Sequence, residues 1–242
     1  MMDQITKLES PIDVMYLMHK VYMIHSEKTE LLAEQAQAGG SLAELGANLE
    51  GWLKHLLYHA QTEDTYMTGP LKDIEHQDGR RPARDNEVEH DELRRLGGDI
   101  VDFIGKGDNA ALAEQINEFV LSKEDEEHAD LADKAEKAGE ALQEALGESR
   151  VLARTRRHLY QKVMALRVTE FDHFENEESF VLPLVRDQMA PAQELELARR
   201  LLFDDDAEDP RWIIDFLYGV LEGGDQELLR QLEASFSGSP VT

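Results

Sequence analysis

His59-Ala-Gln-Thr-Glu63, within HAQTEDTYMTGP at residues 59–70, returns as His173-Phe-Glu-Asn-Glu177, within HFENEESFVLP at residues 173–183. Each copy is His-x-x-x-Glu followed by a second acid, an aromatic or apolar stretch and a proline. On a helix, residues i and i+4 lie one turn apart on one face, with Cβ atoms roughly 6 Å apart. An imidazole and a carboxylate so placed can ligate one ion, or one ion each of a bridged pair. Both copies fall near the end of a strongly helical segment. Reading them as helix commits the chain to an all-α fold with a metal site between helices.

The sequence on either side supports that reading. Ser10-Pro11 is an N-cap followed by a proline at the first helical position, and Ile12, Met15, Leu17, Met18, Val21, Leu31 and Leu32 then recur at helical spacing until Gly39-Gly40. Ser41 with Glu44 forms a capping-box pattern that opens a second helix running to about 68. Residues 69–85, rich in Pro, Gly, Asp and Arg, read as a long polar loop. A third helix is expected over 86–104, a turn at Gly105-Lys-Gly107-Asp108, a fourth helix to about Leu146 and a fifth over 149–189. Three shorter helices follow, over 191–203, 210–222 and 225–236. Residues 11–190 are thus a metal-binding helical bundle and 191–242 a helical C-terminal appendage. Its apolar face of Trp212, Phe216, Leu217 and Leu221 reads as packing or as a homo-oligomer contact.

Composition narrows the function. The 242 residues carry 51 Asp plus Glu against 25 Lys plus Arg, a formal net charge of −26. Such a surface repels nucleic-acid phosphate and anionic lipid and tolerates cations. The absence of cysteine excludes disulfides, Fe–S clusters and thiolate metal sites. The N-terminal MMDQITKLESP lacks the apolar core of a signal peptide, and no apolar run approaches the ~20 residues of a membrane span, so the expected compartment is the cytoplasm.

Nine histidines are present, and the helical hairpins test which can meet. In an antiparallel pair, residues at equal counts from the turn lie at equal height. His19 and His59 flank Gly39-Gly40 at about 20 and 19 residues, His90 and His128 flank Gly107 at about 17 and 21, and His128 and His173 flank Gly147 at about 19 and 26. Five histidines from five helices fall into one layer. His25 is about 240° around the helix from His19 and cannot face the same centre, His76 sits in the expected loop, and His158 is about 22 Å along the helix from His173, so all three read as non-ligands. His55 shares a face with His59 and reads as an outer partner or substitute ligand. Asp64 and Glu178, at i+5 from the motif histidines, point off the ligand face and read as solvent-facing or supporting residues.

An early-helix histidine in LMHKVYMIH, then HAQTED, EEHADL and HFENEESFVLP, resembles the hemerythrin and hemerythrin-like (HHE cation-binding) proteins over roughly residues 11–190. The resemblance implies an elaborated antiparallel four-helix bundle with an extra helix, holding two non-haem iron ions (Fe2+/Fe3+) that are oxo- or hydroxo-bridged. It makes Glu63 and Glu177 the bridging carboxylates and His19, His59, His128 and His173 terminal ligands. His90 sits on the third helix, which reads as an insertion into the four-helix plan.

The ligand set makes chemical sense unaided. Imidazole suits Fe, Zn or Cu, and bridging carboxylates favour a pair of hard or borderline ions. Mostly histidine ligation with few open positions favours a small diatomic ligand or peroxide over a bulky substrate. Leu56, Met67, Phe174 and Phe180 can wall an apolar pocket, with Tyr22 and Tyr66 as supporting donors. The expected function is binding of O2, NO or peroxide for sensing, storage or detoxification. Two alternatives remain open. One is a di-iron oxidase, peroxidase or ferroxidase that recruits Glu87 and Glu170, each three residues before a histidine. The other is an acidic helical interaction module whose histidines merely pack.

Overall fold

A computed structural model describes residues 7–72, 77–105 and 148–236. No strand occurs among them, and the class is all-α, as the apolar spacing predicts. A 3-10 turn at Pro11–Asp13 leads into α1 (Val14–Gln37), where Asp13 Oδ2 accepts from the backbone N–H groups of Glu9 and Ser10. Gly39, at φ 105, then supplies the left-handed conformation that ends the helix. Next come α2 (Leu42–Glu63), α3 (Gly69–Lys72), α4 (Gln77–Gly105), α5 (Glu148–Asn176), α6 (Leu182–Gln188), α7 (Pro191–Leu202), α8 (Trp212–Val220) and α9 (Gly223–Phe236).

Two joints are π-helical: Asp64–Thr68 between α2 and α3, and Glu177–Val181 between α5 and α6. In both, the N–H five residues on closes the turn, Gly69 to Asp64 and Leu182 to Glu177, and a proline follows at once, Pro70 or Pro183. Inside an α-helix a proline ring would strike the carbonyl four residues back and leave it without a donor. The wider turn takes up that mismatch. It also gives the copies the same buried positions after the motif Glu: Met67, Thr68 and Leu71 in one, Val181, Leu182 and Val185 in the other.

The polar-loop expectation for 69–85 is corrected, because α3 and the first turns of α4 occupy its described residues. Gly79 and Pro82 lie within the first two turns of α4, which runs through both although each weakens a helix, so composition was a weak guide there. The expected fourth helix, with His128, and the loop residue His76 lie outside the described residues.

The described residues divide into two compact units. One gathers those of Met1–Ile24, Tyr58–His90 and Phe171–Thr242; the other those of His25–Leu57 and Asp91–Glu170. In the second, Leu45, Leu49, Trp52, Leu53, Ile100, Val163 and Leu166 are buried, and Arg156 donates to the carbonyls of Ala36 and Gly40 at the end of α1. Trp52 Nε1 donates to the buried carboxylate of Glu170 at 2.6 Å.

The first unit contains the ends of α1, α2, α4 and α5 together with α6 to α9. Its core includes Ile12, Met15, Met18, Leu182, Leu197, Leu201, Ile213, Leu217 and Leu229. Arg186 donates to the buried Asp13 at 2.9 Å, Lys20 pairs with Asp225, and Tyr58 donates to the Arg200 carbonyl at 2.9 Å while its ring meets Trp212 edge-on. Helices α7 to α9 are therefore packed into the unit that carries the motif histidines. No helix among the described residues is long and apolar enough to cross a membrane.

Candidate metal centre

Four helix segments of the first unit each contribute to one buried cluster. His19 comes from α1, His59 and Glu63 from α2, His90 from α4, and His173 from α5 with Glu177 directly after it; all six are 0 % exposed. The i,i+4 spacing does what the sequence predicts within each motif: His59 Nε2 lies 3.0 Å from Glu63 and His173 Nε2 lies 3.5 Å from Glu177. Each acid also reaches a histidine of another helix, Glu63 to His90 Nε2 at 3.1 Å and Glu177 to His19 Nε2 at 3.3 Å. The Nε2 atoms face one another in pairs, His19 with His59 at 3.3 Å and His90 with His173 at 3.1 Å.

Two quartets result: His19, His59, Glu63 and Glu177, and Glu63, His90, His173 and Glu177, each with its ligand-type atoms within 4.8 Å of one another. Both acids belong to both quartets. None of their four buried oxygens accepts a hydrogen bond of good geometry, although imidazole nitrogens stand beside them. Buried carboxylate oxygens without donors are expensive, and a cation shared between imidazole nitrogens and carboxylates removes the deficit. The residues fit a metal on that ground, and borderline or hard divalent ions best match the donor set.

The outer ring nitrogens are held by acids. His19 Nδ1 donates to Glu178 at 2.9 Å, His90 Nδ1 to Asp64 at 2.7 Å, and His173 Nδ1 to Glu89 at 3.0 Å. Asn176 donates to the other oxygen of Glu89 at 2.7 Å. With Nδ1 carrying the proton, Nε2 presents its lone pair to the quartet. Asp64 and Glu178 do point off the ligand face of their own helices. That direction is where the outer nitrogen of a neighbouring helix's histidine lies. Glu89 was not singled out by the sequence, though its place beside His90 was a usable signal.

The charges of these groups are mutually adjusted. Burial alone would lower the His19 pKa, but the carboxylates of Glu177 and Glu178 at its two nitrogens outweigh it and hold it at about 9. His90 is likewise raised against burial by Asp64 and Glu63. Burial, with the positive charge of His19, pushes His59 well below its usual value. Burial and the neighbouring Glu177 push Glu63 well up, whereas His173, His19 and His59 overcome burial at Glu177 and hold it well down.

Aromatic rings wall the first quartet. Phe174 stacks on His19, centroids 4.0 Å apart and planes 7° apart, and its ring also meets His59 and His173. Tyr22 meets His59 edge-on at 5.3 Å. Met67 is buried, but Phe180 is 61 % exposed and does not serve as the expected pocket wall. Tyr66 is turned away as well: it is 42 % exposed and lies under the guanidinium of Arg200. Neither Glu87 nor Glu170 belongs to a quartet. His55 places Nδ1 2.6 Å from the Gly51 carbonyl, His25 bonds the Asn48 carbonyl, and neither belongs to a quartet. His90 stands inside a quartet on equal terms with the motif histidines, so α4 is one of four site-bearing helices among the described residues. The placement of His128 lies outside the described residues.

The family model of the Hemerythrin HHE cation binding domain matches residues 10–122, which hold His19, His59, Glu63 and His90. The second motif copy, beyond that match, enters the same cluster through the fold. No curated protein and no solved structure matches the chain.

Proposed function

We propose, from the hemerythrin HHE cation-binding domain as premise, that this protein holds two non-haem iron ions and binds a small ligand there: O2, NO or peroxide. One observation carries the reading. Glu63 and Glu177 are each shared by two quartets, and their four buried oxygens accept no hydrogen bond of good geometry while facing four imidazole nitrogens. One position would be held by His19 and His59, the other by His90 and His173, with both acids spanning the pair. Histidine and carboxylate donors suit iron, which would supply reversible binding or redox chemistry at the open position.

The chain's own residues do the rest. Glu178, Asp64 and Glu89 fix ring orientation and tautomer, and Phe174 and Tyr22 exclude water on one side. The enzymatic alternative needed Glu87 and Glu170 as further ligands. Glu170 is instead bonded to Trp52, and neither acid belongs to a quartet, which favours a binder. Reconstitution with ferrous iron, elemental analysis and optical spectra under air and under argon test the reading. About two irons per chain and a near-ultraviolet to blue absorption that reverses on ligand removal are expected. Sustained turnover of ferrous iron or of a peroxide-coupled dye would favour the enzyme.

A further inference from the structure

The residues next to two of the site histidines are held by the C-terminal helices. Lys20, directly after His19, pairs with Asp225, a buried acid in the first turn of α9. Tyr58, directly before His59, donates from its hydroxyl to the Arg200 carbonyl at 2.9 Å, with the Phe203 carbonyl 3.1 Å away. Trp212 of α8 meets the same ring edge-on at 5.4 Å. Successive residues of a helix point about 100° apart, so a histidine turned inward leaves its neighbour able to reach outward. Arg200 and Phe203 stand at the end of α7, where the last carbonyls have no donor within the helix, and Tyr58 supplies one. The guanidinium of Arg200 also covers the Tyr66 ring at 4.4 Å, three residues past Glu63. One residue of α7 thus grips the His59–Glu63 segment on both sides. The first turn of α9 is in turn tied to α8, because Gln226 donates to the carbonyls of Tyr218 and Leu221 at 2.9 and 2.7 Å.

We propose that Lys20 and Tyr58 are positioning residues through which α7 to α9 hold His19 and His59 at their facing distance, so that metal occupancy of this quartet and docking of the C-terminal helices are linked. The inference rests on the di-metal reading and gives residues 191–236 a part in it. His19 and His59 come from different helices, and their Nε2 atoms lie 3.3 Å apart. That separation depends on how α1 lies against α2, and both grips fall within one residue of the histidines concerned. Neither Lys20 nor Tyr58 belongs to a quartet, so each acts through its neighbour. Linkage is reciprocal: whatever docking adds to metal affinity, bound metal adds to docking.

The test uses the full-length protein and ferrous iron. Tyr58→Phe removes the hydroxyl and keeps the ring; Asp225→Asn removes the charge that holds Lys20. Tyr218→Phe is the control, since its hydroxyl bonds Glu233 at 2.7 Å, a contact internal to α8 and α9. Iron affinity is titrated for each, and the imidazole nitrogen resonances of His19 and His59 are recorded by NMR in the metal-free protein. The expected result is iron affinity at least threefold weaker in Tyr58→Phe and Asp225→Asn, with a shifted His59 or His19 resonance respectively. Tyr218→Phe should keep wild-type affinity and resonances. Wild-type iron affinity in both of the first two variants overturns the proposal. An equal loss in Tyr218→Phe overturns it as well, because general loosening would then account for the effect. If one of the first two variants does not fold, the other carries the comparison. A wild-type protein that retains no iron would instead overturn the metal-centre reading, and unshifted resonances in the metal-free variants would then separately overturn the grip on His19 and His59.

Discussion

The Asp64 carboxylate lies 2.7 Å from Nδ1 of His90, a residue of another helix, while the adjacent Glu63 reaches Nε2 of the same ring at 3.1 Å. Two consecutive acids therefore grip one imidazole from both ends. Glu177 and Glu178 do the same to His19, at 3.3 Å and 2.9 Å. In each copy of the motif the first acid faces the centre and the second locks a histidine delivered by another helix.

This arrangement separates two kinds of carboxylate. Asp64→Asn and Glu178→Gln keep the side-chain volume but remove the acceptor charge that fixes the tautomer. Such changes typically cost about 10- to 100-fold in metal affinity. Metal titration should show that loss with the full stoichiometry still reached at saturating iron. Unchanged affinity in both variants would mean these acids only fill space.

Glu63→Ala and Glu177→Ala should act on stoichiometry. Each acid belongs to both quartets, so removing either strips an oxygen from two ion positions. Elemental analysis after reconstitution and desalting should find fewer than two irons per chain in both variants. His19→Ala should weaken one position only. Full occupancy after either Glu replacement would sink the shared-carboxylate model.

Phe174 offers a packing test. It is buried, stacks on His19 and touches two further site histidines. Phe174→Ala should cost about 3–5 kcal/mol, the usual range for such a truncation in a core. Denaturant unfolding of the metal-free protein should show it. Phe174→Leu should recover much of the stability but not the flat stack on His19, so iron affinity should stay below wild type.

How far the sequence carried these conclusions depends on which interaction was being read. The His-x-x-x-Glu pairs were legible because i,i+4 spacing depends only on one helix. Hairpin counting across Gly39-Gly40 also brought His19 level with His59, since rise per residue is fixed, while the counts through His128 lie outside the described residues. What it lacked was helix rotation. Whether Asp64 meets water or His90, whether Phe180 lines a pocket, and whether Glu170 faces the cluster all depend on how one helix is turned against the next. The chain alone does not state that. Glu89 stood beside a histidine already singled out, but its partner is the His173 ring of another helix, which only the packing reveals. The start of α4 was hidden differently, by Gly79 and Pro82, whose turn signal was overridden.

The last expectation concerns pH, and the protein's own groups set its sign. The His19 pKa is raised from 6.5 to about 9, so its favourable charge fully stabilises the metal-free fold below pH 6.5 and is lost as pH rises through 9. The rise at His90 acts in the same direction. A metal ion must displace these protons, so loading near pH 7 should release protons, and affinity should increase with pH across this window. Metal bound only to the folded state adds stability by mass action, about 2.7 kcal/mol at a hundredfold excess over its dissociation constant. The melting-temperature gap between iron-loaded and metal-free protein should therefore be small near pH 5, where protons win, and widen steadily towards pH 9. Calorimetry in two buffers of different ionisation enthalpy counts the released protons, and thermal melts at each pH measure the gap. A gap independent of pH, with no proton release, would show that His19 and His90 are not displaced by metal and that the cluster holds itself together by its own ion pairs.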